Sequence, residues 1–179
     1  MKYRLTKNFI EYKGKKLYQI EALKHLSYTM AGGMGGYIES EKNLSQEGNC
    51  WISGNAKVYG DARVCDNAKV FDSAKVFDSA VVYGSAEVYG NATVSSDARV
   101  CDNAKVYGDA RVYNKVIVYD NAKVYGDAVV CDNAKVYGDA IVFGNAKVCG
   151  CAEVFDSAKF FGNARISGNA KVYDNSIIS

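Results

Sequence analysis

The chain has 179 residues, 49% of them hydrophobic, and a formal charge of +2, so it can build a core but lacks the basic bias that nucleic acid or an anionic membrane surface favours. No stretch approaches the ~18 apolar residues of a membrane span. The N-terminus MKYRLTKNFIEYKGKKLYQI is basic without the apolar run and cleavage site of a secretory signal. These features predict a cytoplasmic protein without membrane contact, whose six cysteines are reduced thiols.

Residues 1–49 read as an N-terminal capping region. From Phe9 to Leu23 the pattern is a hairpin: FIEY, a Lys-Gly-Lys-Lys turn, then LYQIEAL. The glycine cluster Ala31–Gly36 lacks the GK[ST] ending of a phosphate cradle and opens no helical pattern. A cap over an exposed first coil is the better reading, because an open sheet edge invites association. Trp51 is expected to seal the junction.

From residue 50 to 179 the chain is one six-residue repeat: ISGNAK, VYGDAR, VCDNAK, VFDSAK and so on. A large apolar residue falls at Ile52, Val58, Val64 and every sixth position to Ile178, without an insertion. All are Val or Ile except Phe160, and the residue two before each is Ala except at Cys50, Val116 and Ser176. In Ala-Lys-Val-Tyr the side chains alternate, placing Ala and Val on one side and Lys and Tyr on the other. The following Gly or Asp, then Asn, Asp or Ser, suit a left-handed corner. One inserted residue would turn every later side chain to the wrong face. A strand this short cannot bury its own apolar face; stacked copies can, each buried Val contributing ~1.5–3 kcal/mol before entropy is subtracted. The absence of proline fits a chain made of strands and tight corners.

The unit Val-Tyr-Gly-Asn-Ala-Lys resembles that of the hexapeptide-repeat proteins. The stretch GGYIESEKNLSQEGNCWISGNA, residues 35–56, is similar to the start of YdcK-like proteins. The resemblance implies an all-β, left-handed parallel β-helix of triangular coils, three units or eighteen residues per turn, hence about seven turns. It also implies a group common in bacteria and their phages, and with it a phage- or mobile-element-encoded role that includes action on a host factor.

Two chemistries known in hexapeptide-repeat proteins can be tested against the residues. Acyl transfer needs a histidine base and loops that shape an acceptor site. A carbonic-anhydrase zinc site needs three histidines. This chain has one histidine, His25, outside the repeat, and no loop interrupts the coils. We therefore expect no enzymatic activity and no cofactor, with a transferase-like protein bearing an unrecognised site as the alternative. Cys131 and Cys149 would stack on adjacent coils with Cα atoms ~4.8 Å apart, inside the disulfide range, and with Cys151 two residues on, three thiols that could hold a soft metal; without CxxC spacing or a histidine, and on compartment grounds, reduced thiols without metal are the expectation.

On eighteen-residue coils the outward residue after each Val falls into three columns. One is Phe71, Tyr89, Tyr107, Tyr125, Phe143 and Phe161, aromatic without a gap. A second contains Tyr83 and Tyr119, alternating partly with cysteines, and the third is mixed. Where the repeat departs from its pattern, Val81, Tyr83, Ile117 and Tyr119 are expected to form an apolar patch. Such ladders stabilise a sheet by ~0.2–1 kcal/mol per pair. An exposed aromatic face also marks an interaction surface, so these ten residues are the candidate binding residues, for a protein partner or for self-association. Aspartates at the corners argue against nucleic acid. The sequence thus predicts a scaffold or binding protein.

Overall fold

The computed structural model describes all 179 residues. β1 (Tyr3–Tyr12) and β2 (Lys15–Ala22) form an antiparallel hairpin. Its turn is Lys13-Gly14, both with positive φ, as a two-residue hairpin turn of type I′ requires. β2 pairs antiparallel with β3 (Met34–Ile38), and β3 pairs in parallel with Lys57–Val58. The parallel stack therefore begins upstream of residue 50, inside the stretch that the sequence assigns to the cap. Ile38 and Leu44 are its first buried inward residues. Leu44 and Ile52 stand eight positions apart where the repeat has six, which hides this coil from a period count.

Twenty-two two-residue strands follow, one every six residues, from β4 (Trp51–Ile52) to β25 (Ile177–Ile178). They sort into three parallel sheets in which each strand pairs with the one eighteen residues later. With β3, the result is a parallel β-solenoid of about eight turns. One sheet continues through β3 into the hairpin, so cap and solenoid share a backbone ladder.

The interior is a column of valines and alanines. Val58 to Val154 in the large position are fully buried at every sixth residue, and so are the alanines two places before them. Lys105 N donates to Ala122 O at 2.9 Å and Tyr107 N to Val124 O at 3.0 Å, so the N–H groups of outward residues donate the ladder bonds and the carbonyls of inward residues, whose side chains fill the core, accept them. Val116, in place of Ala, is accommodated without loss of register: Arg99 stays opposite Ile117.

Each corner requires a left-handed residue. Glycine supplies it at Gly84 (φ 66°) and aspartate at Asp66 (φ 58°), with Ser96 and Asn114 as further solutions. Aspartate adds a bond that glycine cannot. The Asp66 carboxylate accepts the N–H of Gly84 at 3.0 Å, and Asp120 likewise accepts that of Gly138 at 3.1 Å, tying each corner to the next. Asparagines beside the corners extend this: Asn103 donates to Asn121 and Asn121 to Asp139.

The irregular first coil leaves carbonyls without ladder donors, and buried side chains supply them. Asn43 Nδ2 donates to Gly60 O and Ala62 O at 3.0 and 2.8 Å. Tyr3 Oη donates to Leu44 O at 2.7 Å, and the buried Lys2 ammonium to Cys50 O at 2.9 Å and Glu47 O at 3.2 Å. Gly36 takes the small inward position, where a Cβ would stand 2.8 Å from Ala56 O; even alanine is too large there. Trp51 is buried, as the sequence leads one to expect.

Removing two methyl groups from the column should be felt directly. Val124→Ala is expected to cost about 2 kcal/mol in denaturant unfolding, whereas its exposed outward neighbour Lys123→Ala should change stability by no more than about 0.5 kcal/mol.

Candidate functional site

With the interior filled by valine and alanine, chemistry is left to the three outer faces. The column Phe71, Tyr89, Tyr107, Tyr125, Phe143, Phe161 is continuous. Its five successive ring pairs are stacked with centroids 4.7–5.1 Å apart and planes within 11°. Backbone spacing sets this separation, because each ring stands on a strand one ladder step from the next. The rings are half-buried. Their flat faces are spent on one another, so ring edges and the hydroxyls of Tyr89, Tyr107 and Tyr125 are what the column turns outward. A second column stacks Tyr119, Tyr137, Phe155 and Tyr173 on the next face.

The expected apolar patch is not continuous. Tyr83 and Tyr119 stand two coils apart with Cys101 between them, and Arg99 separates Val81 from Ile117. Val81 lines a groove of about 490 Å³ with Leu44, Arg63 and Cys65. Ile117 lines a different depression with Asp97, Arg99 and Lys115. The departure at Asn114–Ile117 places one more β-branched side chain outward, but the intervening coil keeps its arginine.

Ion pairs run along two faces. Glu87 lies 2.9 Å from Lys69 and 2.8 Å from Lys105, on the coils before and after it, and Glu153 bridges Lys135 and Lys171 in the same way. Burial alone would raise the Glu87 carboxyl. Hydrogen bonds and charge from Lys105 and Lys69 outweigh that and hold it below its ordinary range. Glu153 is lowered by Lys171 and Lys135 against the same opposing burial. Burial, followed by the Glu153 charge, pushes the Tyr137 hydroxyl up to about 12.

Other contacts were not foreseen from the sequence. Tyr12 at the hairpin tip meets Tyr59, which stacks on Phe77 at 5.0 Å, and Lys57 and Lys13 lie over these rings. The Tyr59 hydroxyl is buried without a hydrogen-bond partner. Tyr28 lies 3.7 Å from the Lys69 ammonium over a hollow of about 200 Å³ shared with Trp51 and Phe71. These pairings join a loop or hairpin to the solenoid, and no periodicity reports them. His25 is exposed, outside the coils.

The six-thiol expectation is corrected at one pair. Cys131 and Cys149 are joined as a disulfide, with Cα atoms 4.7 Å apart, because in-register strands place them directly opposite. Cys50, Cys65, Cys101 and Cys151 are free. No helix is long and apolar enough to cross a membrane.

The family model described as YdcK Beta solenoid repeat matches three segments, residues 86–102, 104–120 and 164–179, each about one coil long. No curated protein matches the chain.

The glutamate bridges make a signed prediction. A lowered carboxyl contributes stability that is present above its unfolded pKa and is lost as pH falls through the folded one. Melting temperature should therefore drop between pH ~5 and ~3. The double variant Glu87→Gln/Glu153→Gln should start lower near neutrality and drop less over that window, as read by thermal melts.

Proposed function

We propose that this chain, a YdcK-like β-solenoid repeat protein, is a non-enzymatic rigid scaffold that presents its stacked aromatic column to a protein partner. The single observation behind this reading is the six-ring column from Phe71 to Phe161, held at ladder spacing with no loop interrupting its face. A surface so fixed loses little conformational entropy on binding, which favours recognition. It offers ring edges, tyrosine hydroxyls and the flanking ammoniums of Lys123 and Lys159, and so suits a partner surface bearing carboxylates and carbonyl oxygens. Because the ring faces are already stacked, intercalated bases have no open platform within the column. The one imidazole, His25, stands outside the solenoid, which weighs against histidine-based acyl transfer on the coils.

Tagged protein should retain a defined partner that the double variant Tyr107→Ser/Tyr125→Ser loses, while circular dichroism and melting show the variant folded. If the partner is a second copy, light scattering should show a dimer mass that the same variant reduces to a monomer. Retention unchanged by the substitutions would remove the column from the function. Acetyl-CoA turnover lost on His25→Ala would overturn the non-enzymatic reading.

A further inference from the structure

The face that carries β3 and the hairpin holds Tyr59, Phe77, Ser95, Tyr113, Cys131, Cys149 and Ser167 in its outward column. At Cys131 and Cys149 two sulfurs stand on adjacent coils where most of the solenoid has aromatic rings. Val129 is opposite Lys147 and Val130 opposite Val148, and Cys131 N donates to Val148 O at 2.9 Å, so both cysteines are held by the ladder itself.

A carboxylate completes the cluster. Asp132 is the left-handed corner residue immediately after Cys131, with φ 63°. Its Oδ2 accepts the N–H of Gly150 at 3.0 Å and its Oδ1 accepts from Asn114 Nδ2 at 3.1 Å, which fixes the group beside Cys131, with Oδ2 3.7 Å from Sγ. One ligand atom from each of Cys131, Asp132 and Cys149 lies within 4.8 Å of the others. Cys151 is exposed at the following corner, against Asn133.

We propose that the reduced form of this cluster binds one thiophilic divalent cation of the zinc class through Cys131 Sγ, Cys149 Sγ and an Asp132 oxygen, and that the disulfide is the oxidised, metal-free form of the same site. Two thiolates on a tetrahedral zinc, each at ~2.3 Å, stand ~3.8 Å apart. In-register strands with Cα atoms 4.7 Å apart bring two sulfurs to that separation without moving the backbone. Soft thiolates select such metals over magnesium or calcium. The bonds from Gly150 and Asn114 orient the carboxylate as outer partners orient ligands in metal sites, and they leave lone pairs for a metal. The fourth position opens to solvent.

The two states exchange by balanced chemistry. A dithiol reductant gives two electrons and two protons to the Cys131–Cys149 bond, leaving two thiols and the reductant's own disulfide. Binding the cation then releases the two thiol protons, because the thiolate is the ligand.

The full-length protein, reduced under argon and freed of reductant, should take up one Zn²⁺ per chain in native mass spectrometry and hold it against a chromogenic chelator. Cys131→Ser and Cys149→Ser should each lose the ion, whereas Cys151→Ser should keep it. Asp132→Asn, which preserves a corner that tolerates asparagine, should weaken binding about tenfold or more. The oxidised protein should bind none. Binding that survives Cys131→Ser, binding by the disulfide form, or a reduced chain that yields its zinc as readily as Cys131→Ser would overturn the assignment. Unchanged affinity in Asp132→Asn would overturn the carboxylate's place in it.

Discussion

The structure depends on the narrowness of its interior. Three strands of two residues close each coil, and the space between them holds one valine and one alanine per side in nearly every coil, with Val116 and Phe160 the larger side chains it also takes. That limit forces strict six-residue spacing, since a slip of one position would bring lysine or tyrosine inside. It makes neighbouring coils nearly identical, so the ladder repeats every eighteen residues and stacks like on like: valine on valine within, tyrosine on tyrosine without. The outer columns are therefore consequences of the core.

Corners and cap solve what the narrow core leaves open. A chain that turns every six residues needs left-handed backbone at each turn, and the choice between glycine and aspartate there is not neutral. Aspartate closes onto the next coil's N–H, as Asp66 does with Gly84, so the aspartates that balance the lysines also tie coils together. At the N-terminal end, where the first coil departs from the repeat, Asn43, Tyr3 and Lys2 provide the donors that an ordinary coil would. An unsatisfied buried carbonyl costs ~1–3 kcal/mol, which explains a lysine buried beside Cys50.

Much of this was legible in the sequence because the constraint is periodic. Valines at every sixth position gave the solenoid, its inward alanines and its three outer columns, including the unbroken run from Phe71 to Phe161. What was not legible breaks the period or crosses it. Ile38 and Leu44 escaped because two additional residues precede Ile52. Tyr12 against Tyr59, and Tyr28 over Lys69, join distant segments by tertiary contact alone. The patch around Val81 and Ile117 failed for a plainer reason: the coil between them carries Arg99. Cys131 and Cys149 were placed on adjacent coils correctly, but a compartment argument does not decide whether two facing sulfurs bond. Asp132, which turns a cysteine pair into a three-ligand cluster, read only as a corner.

Each outward side chain must face the one eighteen positions away, and engineered cysteines test that register most directly. In a chain with its native cysteines replaced by serine, Lys105→Cys/Lys123→Cys should form a disulfide rapidly under mild oxidation, because these positions are directly opposite. Lys105→Cys/Tyr125→Cys, two residues out of register, should remain as thiols, its Cα atoms ~8 Å apart. Equal cross-linking of both pairs, or cross-linking of the second alone, would contradict a core of valine and alanine stacked in eighteen-residue coils.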